Sequence, residues 1–381
     1  MAQIERALFP LLKSKVQPGK VLVLLGARRT GKTALLHKYA QTLALGTYEF
    51  LNGEDQATVD LLASKTAPNY ARLVAGKTHL ILDEAQNVPD IGAKLKFLVD
   101  TFPELIVIAT GSSVFDLSQR VGEPLVGRQK ILRLYPLAQM EFKNHETLSE
   151  TYAKREERLI YGGYPELEQY PNWQDKKEYL ETIVNDYLLR DVLVFDGLRK
   201  ADKLLDILRL IALQIGKEVS IDELANGVKG ITRNTLERYL DILEKVFVIY
   251  RVGGFSRNLR KEVVKSHRWY FFDNGIRNAI IRNTSPLALR GDDGALWENY
   301  LMAERQKFHA YSQHNCTSYF WRTYDKQEID LVEEANGKLA AYEFKWNPKK
   351  LAKAPGGWQS AYPMATFTNI NPDNYLDFIG G

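Results

Sequence analysis

Residues Val21–Thr33 read VLVLLGARRTGKT, and no other stretch restricts the fold as much. Five apolar residues run directly into Gly26, Ala27, Arg28, Arg29, Thr30, Gly31, Lys32 and Thr33, and residues 34–45 continue with a helical pattern. G-x-x-x-x-G-K-T between a buried strand and a helix is the Walker A phosphate loop in its required setting. Glycine at 26 and 31 allows backbone turns that a Cβ opposes, so successive N–H groups of the loop, through Ala34, can face a phosphate. The helix adds the positive end of its dipole. Lys32 supplies a point charge to the β- and γ-phosphates, and Thr33 a hydroxyl to Mg²⁺. A glycine turn joining strand to helix is the competing reading; the register of all four required residues and both flanks weighs against it.

His79–Gln86, HLILDEAQ, supplies the complement. A buried strand ending in Asp83-Glu84 fits the Walker B role, with Asp83 holding Mg²⁺, through water or through Thr33, and Glu84 orienting or deprotonating the attacking water. "Apolar strand, then Asp-Glu" is common by itself; after a Walker A loop it gains force. Further strands are expected at 47–51 and 105–110, with helices at 2–15, within 57–75 and at 91–101. Strands alternating with helices mean a parallel sheet covered on both faces, with ligands at the carboxyl ends of the strands. Asp83, Glu84, Thr110 and Ser112 fall at such ends. Thr110 and Ser112 stand where a polar sensor of the γ-phosphate belongs, or in a solvent-facing turn. Arg128, on a loop after the last such strand, is a candidate for an arginine that reaches a neighbouring subunit's γ-phosphate; a surface ion pair is the competing reading.

The 381 residues exceed one core, which implies several domains. With 45% hydrophobic and 26% charged residues and a net charge of +4, the chain reads as soluble and permits nucleic acid as a partner without demanding it. One cysteine, Cys316, excludes an internal disulfide and a zinc site built from cysteines, and suits a reducing compartment. The first residues lack a signal-peptide core, and no apolar run has the length of a membrane span. The expected address is cytoplasmic, without membrane association.

After a final strand near 132, residues 145–200 read as a helical lid beside the nucleotide site, broken by YGGYPEL at 161–167 and continuing as a long helical stretch at 173–200. Residues 203–250 hold an apolar helix, a second capped by Ser220 with Glu223 three residues on, and a third over 232–246. With strands at 247–252 and 268–273 and basic residues between them, this is a winged-helix-like pattern. In a DNA reader Arg233, Asn234 and Arg238 face the groove and Arg257, Arg260 and Lys261 sit on the wing; a unit used only for packing or oligomer contacts reads the same way. Beyond, Glu298 lies on a helix, Asp330 on a strand, and Glu343 and Lys345 on the next strand, where alternation puts them on one face. That order is similar to the restriction-endonuclease-like PD-(D/E)xK core. The resemblance implies carboxylates that hold Mg²⁺ and a lysine that activates water. A charged face on a twisted sheet is the alternative.

GARRTGKT, LILDEAQ, ATGSS followed by Gly-Arg, YGGYPEL, SRNLRKE and YFFDNGIRNA together resemble ATPases of the AAA+ superfamily, of the archaeal and bacterial type with a C-terminal domain of unknown function. The resemblance spans about residues 15–350. It implies ATP/ADP and Mg²⁺ as cofactors, slow hydrolysis, assembly into a ring or other homo-oligomer, and a nuclease-like C-terminal fold. The expected architecture is α/β: a P-loop core at 1–144, a helical lid at 145–200, a winged-helix-like domain at 201–280 and a nuclease-like domain at 281–381. Three functions compete: an ATPase whose nucleotide state sets assembly and the presentation of its C-terminal domains on DNA, an ATP-regulated nuclease, and a non-enzymatic nucleotide-gated scaffold.

Overall fold

In the computed structural model residues 4–111, 125, 127–188, 201–256 and 267–381 are described. They fall into two compact units, Glu5–Tyr135 and, apart from the first few residues, Pro136–Gly381. The expected segments 145–200, 201–280 and 281–381 all lie within the second.

The first unit holds α1 (Leu8–Lys15), β1 (Val21–Leu25), α2 (Lys32–Ala40), β2 (Tyr48–Asn52), α3 (Gln56–Ala63), α4 (Ala67–Leu73), β3 (His79–Asp83), α5 (Ile91–Thr101), β4 (Ile106–Gly111) and β5 (Gln129–Arg133). The five strands are all parallel, in the order β2-β3-β4-β1-β5. Apolar runs such as VLVLL and HLILD suit strands buried on both faces, and β3 is buried throughout. Val21, Val23, Leu80, Leu82, Val107 and Ala109 pack against Leu95 and Leu98 of α5. The expected strands are present within one or two residues. Helix α2 stops at Ala40, short of 45, and the helical stretch at 57–75 divides at Ser64–Thr66.

The second unit begins with α6 (Leu148–Ala153), α7 (Arg155–Tyr161) and α8 (Trp173–Thr182), the last passing into a π-helical turn over Ile183–Leu188. Then come α9 (Ala201–Leu213), β6 (Glu218–Val219), α10 (Ile221–Gly227), α11 (Arg233–Lys245), β7 (Ile249–Gly254), β8 (His267–Phe271), α12 (Asn274–Ile280) and α13 (Asp293–Ser312). The chain ends with β9 (Thr317–Arg322), β10 (Glu328–Ala335), β11 (Lys338–Phe344), α14 (Gly356–Ala361), β12 (Thr366–Ile370) and α15 (Tyr375–Ile379). Ser220 and Thr232 cap α10 and α11, accepting from the N–H groups of Glu223 (3.0 Å) and Thr235 (3.3 Å). One sheet, β12-β11-β10-β9-β7-β8-β6, runs through the segment. Hairpin β7–β8 joins the later strands because β7 pairs parallel with β9 at Gly253–Tyr319. The stretches 201–280 and 281–381 are therefore linked by backbone hydrogen bonds.

In the YFFDNGIRNA stretch, Tyr270 and Phe271 end β8 and the residues from Asn274 on form α12. Asp273 caps it, accepting from Ile276 N–H, and also accepts from Gly163 N–H at 2.8 Å, 110 residues away in sequence. Asn274 donates to the carbonyls of Leu159 and Leu296, and Asn278 to those of Leu159 and Ile160. A Cβ on Gly275 would stand 2.0 Å from the carbonyl oxygen of Tyr161, and one on Gly162 would stand 2.0 Å from Asp273 Oδ1. The two glycine-bearing motifs thus interlock, and the buried asparagines satisfy helix-end carbonyls that have no partner within α7.

Candidate functional site

The carboxyl ends of β1, β3 and β4 carry the first site. Left-handed backbone at Arg29 (φ 64°) and Gly31 (φ 93°) curls the loop between β1 and α2. Turns of that hand bring successive N–H groups to one side. Gly26 is required by its surroundings, since a Cβ there would stand 2.3 Å from the carbonyl oxygen of Leu134. Lys32 is buried and its Nζ donates to the carbonyls of Gly26 (2.9 Å) and Ala27 (3.2 Å), inside the curl. Thr30 Oγ1 donates to Ala27 O at 2.8 Å. Ala27 and Arg28 are half-buried; Arg29, Thr33 and Ala34 are exposed.

Thr33 and Asp83, 50 residues apart in sequence, meet: the threonine hydroxyl donates to Asp83 Oδ2 at 2.7 Å. Thr110, fully buried at the end of β4, donates to Asp83 Oδ1 and accepts from Glu84 N–H at 2.9 Å. One hydroxyl thereby fixes both residues of the acidic pair. Glu84 turns left-handed (φ 46°), which Gly53 makes possible, since a Cβ at 53 would stand 2.4 Å from Glu84 O. A hydroxyl and a carboxylate oxygen in contact form a donor set suited to a hard, oxygen-seeking cation, so this site fits Mg²⁺.

Three residues here were not among the candidates. Arg6, buried ahead of α1, donates to Thr30 O and Tyr135 O, both at 2.6 Å, and so holds the loop from outside. Gln86 donates to Glu84 Oε2, and Gly53 shapes the Glu84 turn. Gln86 could have been suspected from its place in LDEAQ; nothing local marks Arg6. Ser112 lies outside the described residues. Arg128 sits at the amino end of β5, where it accepts from Val21 N–H through its carbonyl and pairs with Asp100 through its side chain. Within this unit it stands at the opposite end of β1 from the phosphate loop.

The second cluster lies in the other unit. Glu298 from α13 and Asp330 from β10 meet beside a residue not among the candidates, Arg268 of β8, while Glu343, at the end of β11, and Lys345, just past it, pair with each other near Asp330. The buried Arg268 guanidinium stands 3.8 Å from Glu298 Oε1, 3.6 Å from Asp330 Oδ1 and 3.1 Å from Glu328 Oε2. Tyr270, two residues on along β8, donates to Glu298 at 2.7 Å. Asp330 accepts from Phe344 N–H at 2.8 Å, and Lys345 donates to Glu343 at 2.7 Å. Burial pushes the Glu298 carboxyl up to about 8, helped by Asp330 and opposed by Arg268. Burial also raises Asp330 and Glu343. The guanidinium already supplies positive charge to Glu298 and Asp330, and a divalent ion on those two carboxylates would have to compete with it.

The proposed DNA contacts separate. Arg233 is exposed and paired with Asp222 (2.9 Å) and Glu237 (3.0 Å). Asn234 and Arg238 lie exposed on α11. Arg257, Arg260 and Lys261 lie outside the described residues. Among the described residues no helix is long and apolar enough to cross a membrane.

The loop, the acidic pair and the all-parallel sheet agree with a comparison of the sequence to known families. Residues 18–143 match the AAA domain. The AAA domain is followed by matches to two domains of unknown function, DUF8612 over residues 152–287 and DUF4143 over 293–370. An uncharacterized protein of Mycobacterium tuberculosis is 25% identical over 339 residues, covering 88% of this chain and 72% of that protein. Another, of Methanocaldococcus jannaschii, is 23% identical over 379 residues, covering 94% and 82%. Among solved structures, Drosophila ORC bound to DNA aligns over 68% of this chain and 89% of that one, at 16% identity and a TM-score of 0.25. A score that low carries nothing about this fold or its ligands.

Proposed function

We propose that the chain is a Mg²⁺-dependent ATPase whose bound nucleotide controls its assembly into a homo-oligomer and the presentation of residues 136–381. The observation that carries this reading is the hydrogen-bonded run Thr33–Asp83–Thr110–Glu84 beside the phosphate loop. In that run Thr33 and Asp83 would hold the magnesium ion that screens the phosphates during transfer. Thr110 keeps Asp83 aimed and fixes the backbone of Glu84, whose carboxylate is restrained by Gln86. Glu84 then accepts a proton from the attacking water, and Lys32 leaves the carbonyls of Gly26 and Ala27 for the phosphates.

Glu84→Gln tests this reading: nucleotide binding is retained and turnover falls by about 10²-fold or more. Unchanged turnover would remove Glu84 as the base. Wild-type turnover equal to that of Lys32→Ala would favour the scaffold reading. Mass in solution with ADP and with a non-hydrolysable ATP analogue, each with and without DNA, tests nucleotide-controlled assembly and DNA binding; identical masses in all four states would end that part.

A winged-helix-like reading of 201–280 is supported by the order α9-β6-α10-α11-β7-β8. The nuclease reading draws support from the convergence of Glu298, Asp330, Glu343 and Lys345. Arg268 argues against it as built. Linear, circular and single-stranded DNA with Mg²⁺ or Mn²⁺ should remain uncut; cleavage lost in Lys345→Ala would reinstate it.

A further inference from the structure

We propose that the turn between α13 and β9 is a transition-metal site of mixed nitrogen and sulfur donors, suited to zinc, formed by His309, His314 and Cys316. Helix α13 ends at Ser312, and Gln313 turns left-handed (φ 53°). His314 N–H donates to His309 O at 3.1 Å and closes the turn. Cys316 follows at once, before β9 begins. The result is a compact H-x₄-H-x-C arrangement in which one ring nitrogen of each histidine and Cys316 Sγ all lie within 4.8 Å of one another. His314 is exposed and Cys316 half-buried, so the site has an open side.

The surroundings of His309 leave one ring nitrogen open to an ion. Its Nε2 is committed to Glu333 Oε1 of β10 at 2.6 Å. Glu333 is itself gripped by Arg305, through Nε and Nη2, both at 2.8 Å. A carboxylate that fixes the tautomer of a histidine through its far nitrogen is the outer sphere found around metal-binding imidazoles. The nitrogen left over, His309 Nδ1, is buried and has no hydrogen-bond partner. A buried acceptor in that state costs free energy unless something binds it, and an ion does so. Imidazole and thiolate donors select zinc or a similar borderline ion over magnesium, so this site and the nucleotide site take different metals. Three protein donors leave one tetrahedral position for water. The single cysteine excludes a site built from cysteines; the two histidines complete a mixed one.

The test uses the full-length, nucleotide-free protein. After dialysis into buffered micromolar Zn²⁺, about one zinc per chain is expected by elemental analysis. Co²⁺ in its place should give a thiolate-to-cobalt band in the near ultraviolet. Cys316→Ser should abolish that band, and His314→Ala should weaken zinc binding at least about tenfold. Less than about a tenth of a zinc per chain, a cobalt spectrum without the thiolate band, or equal binding in both variants overturns the proposal. Should Cys316→Ser fail to fold, wild-type protein decides: zinc should slow alkylation of Cys316 at least about tenfold, and an unchanged rate overturns the site.

Discussion

In residues 5–135 the polar groups of the proposed nucleotide site stand at the ends of neighbouring parallel strands, each a short step from the next. In residues 136–381 the carboxylate cluster draws on helix α13, strands β8 and β10 and the end of β11, and it includes an arginine. The first arrangement leaves Thr33 exposed beside Asp83, where a hard cation can be shared with a phosphate. The second half-buries Glu298 and Asp330 and sets a guanidinium of the chain beside them. A similar stock of Asp, Glu, Lys and Thr can thus be poised for an exchangeable ligand or closed upon itself. What decides is whether the compensating charge arrives from solvent or from the chain.

The largest effect expected concerns the interlock that holds the second region. Gly275→Ala forces a Cβ against Tyr161 O and should cost about 4 kcal/mol or more in denaturant unfolding. Gly230→Ala, at positive φ but with no atom within 4 Å, should cost only about 1 kcal/mol. Equal costs would mean that the contact does not constrain the fold.

Next, Arg268→Met should destabilise by about 3 kcal/mol, because Glu298 and Asp330 lose their cation. The loss should be greater at pH 8 than at pH 5, and nucleotide affinity by calorimetry should not change. A changed affinity would mean that the charge of this cluster is felt at the proposed nucleotide site. Thr110→Val should leave nucleotide binding intact and lower turnover about 10- to 100-fold, since Asp83 and the Glu84 backbone lose one shared hydroxyl. Turnover near wild type would leave the acidic pair positioned by the strand ends alone.

A further effect separates the regions by pH. Glu298 binds its proton in the folded chain up to about pH 8, whereas its ordinary value is 4.5. Its contribution is therefore complete below pH 4.5 and declines as pH rises towards 8, at no more than about 1.4 kcal/mol per pH unit. Glu298→Gln should flatten that slope in unfolding measurements at pH 5 and pH 8. An unchanged slope would assign the titration to Asp330 or Glu343.

Legibility followed the same division. The phosphate loop is a contiguous string with a fixed register, so Gly26 to Thr33 could be read directly, and Thr110 follows from its place at a strand end. The four residues of the second cluster were legible as a pattern, but Arg268 was hidden inside RWYFFD, which reads as an apolar strand. Only the pairing of β8 with β7 and the packing of α13 bring its guanidinium to the carboxylates. Asn274, Arg277 and Asn278 are polar residues that lie buried on α12. They are buried because their partners are backbone carbonyls distant in sequence, such as Leu159 O and Ala212 O, and that information resides in no local window.

The fit of Gly162 and Gly163 against Asp273, and of Gly275 against Tyr161, bears on how this chain can be recombined with its relatives. A chimera spliced near residue 200 would join halves of an interlock that had been shaped in different proteins, and the mismatch would fall on backbone atoms that cannot repack. A splice between Tyr135 and Pro136 keeps both halves from one parent, so exchange of the nucleotide module should succeed there and fail further along.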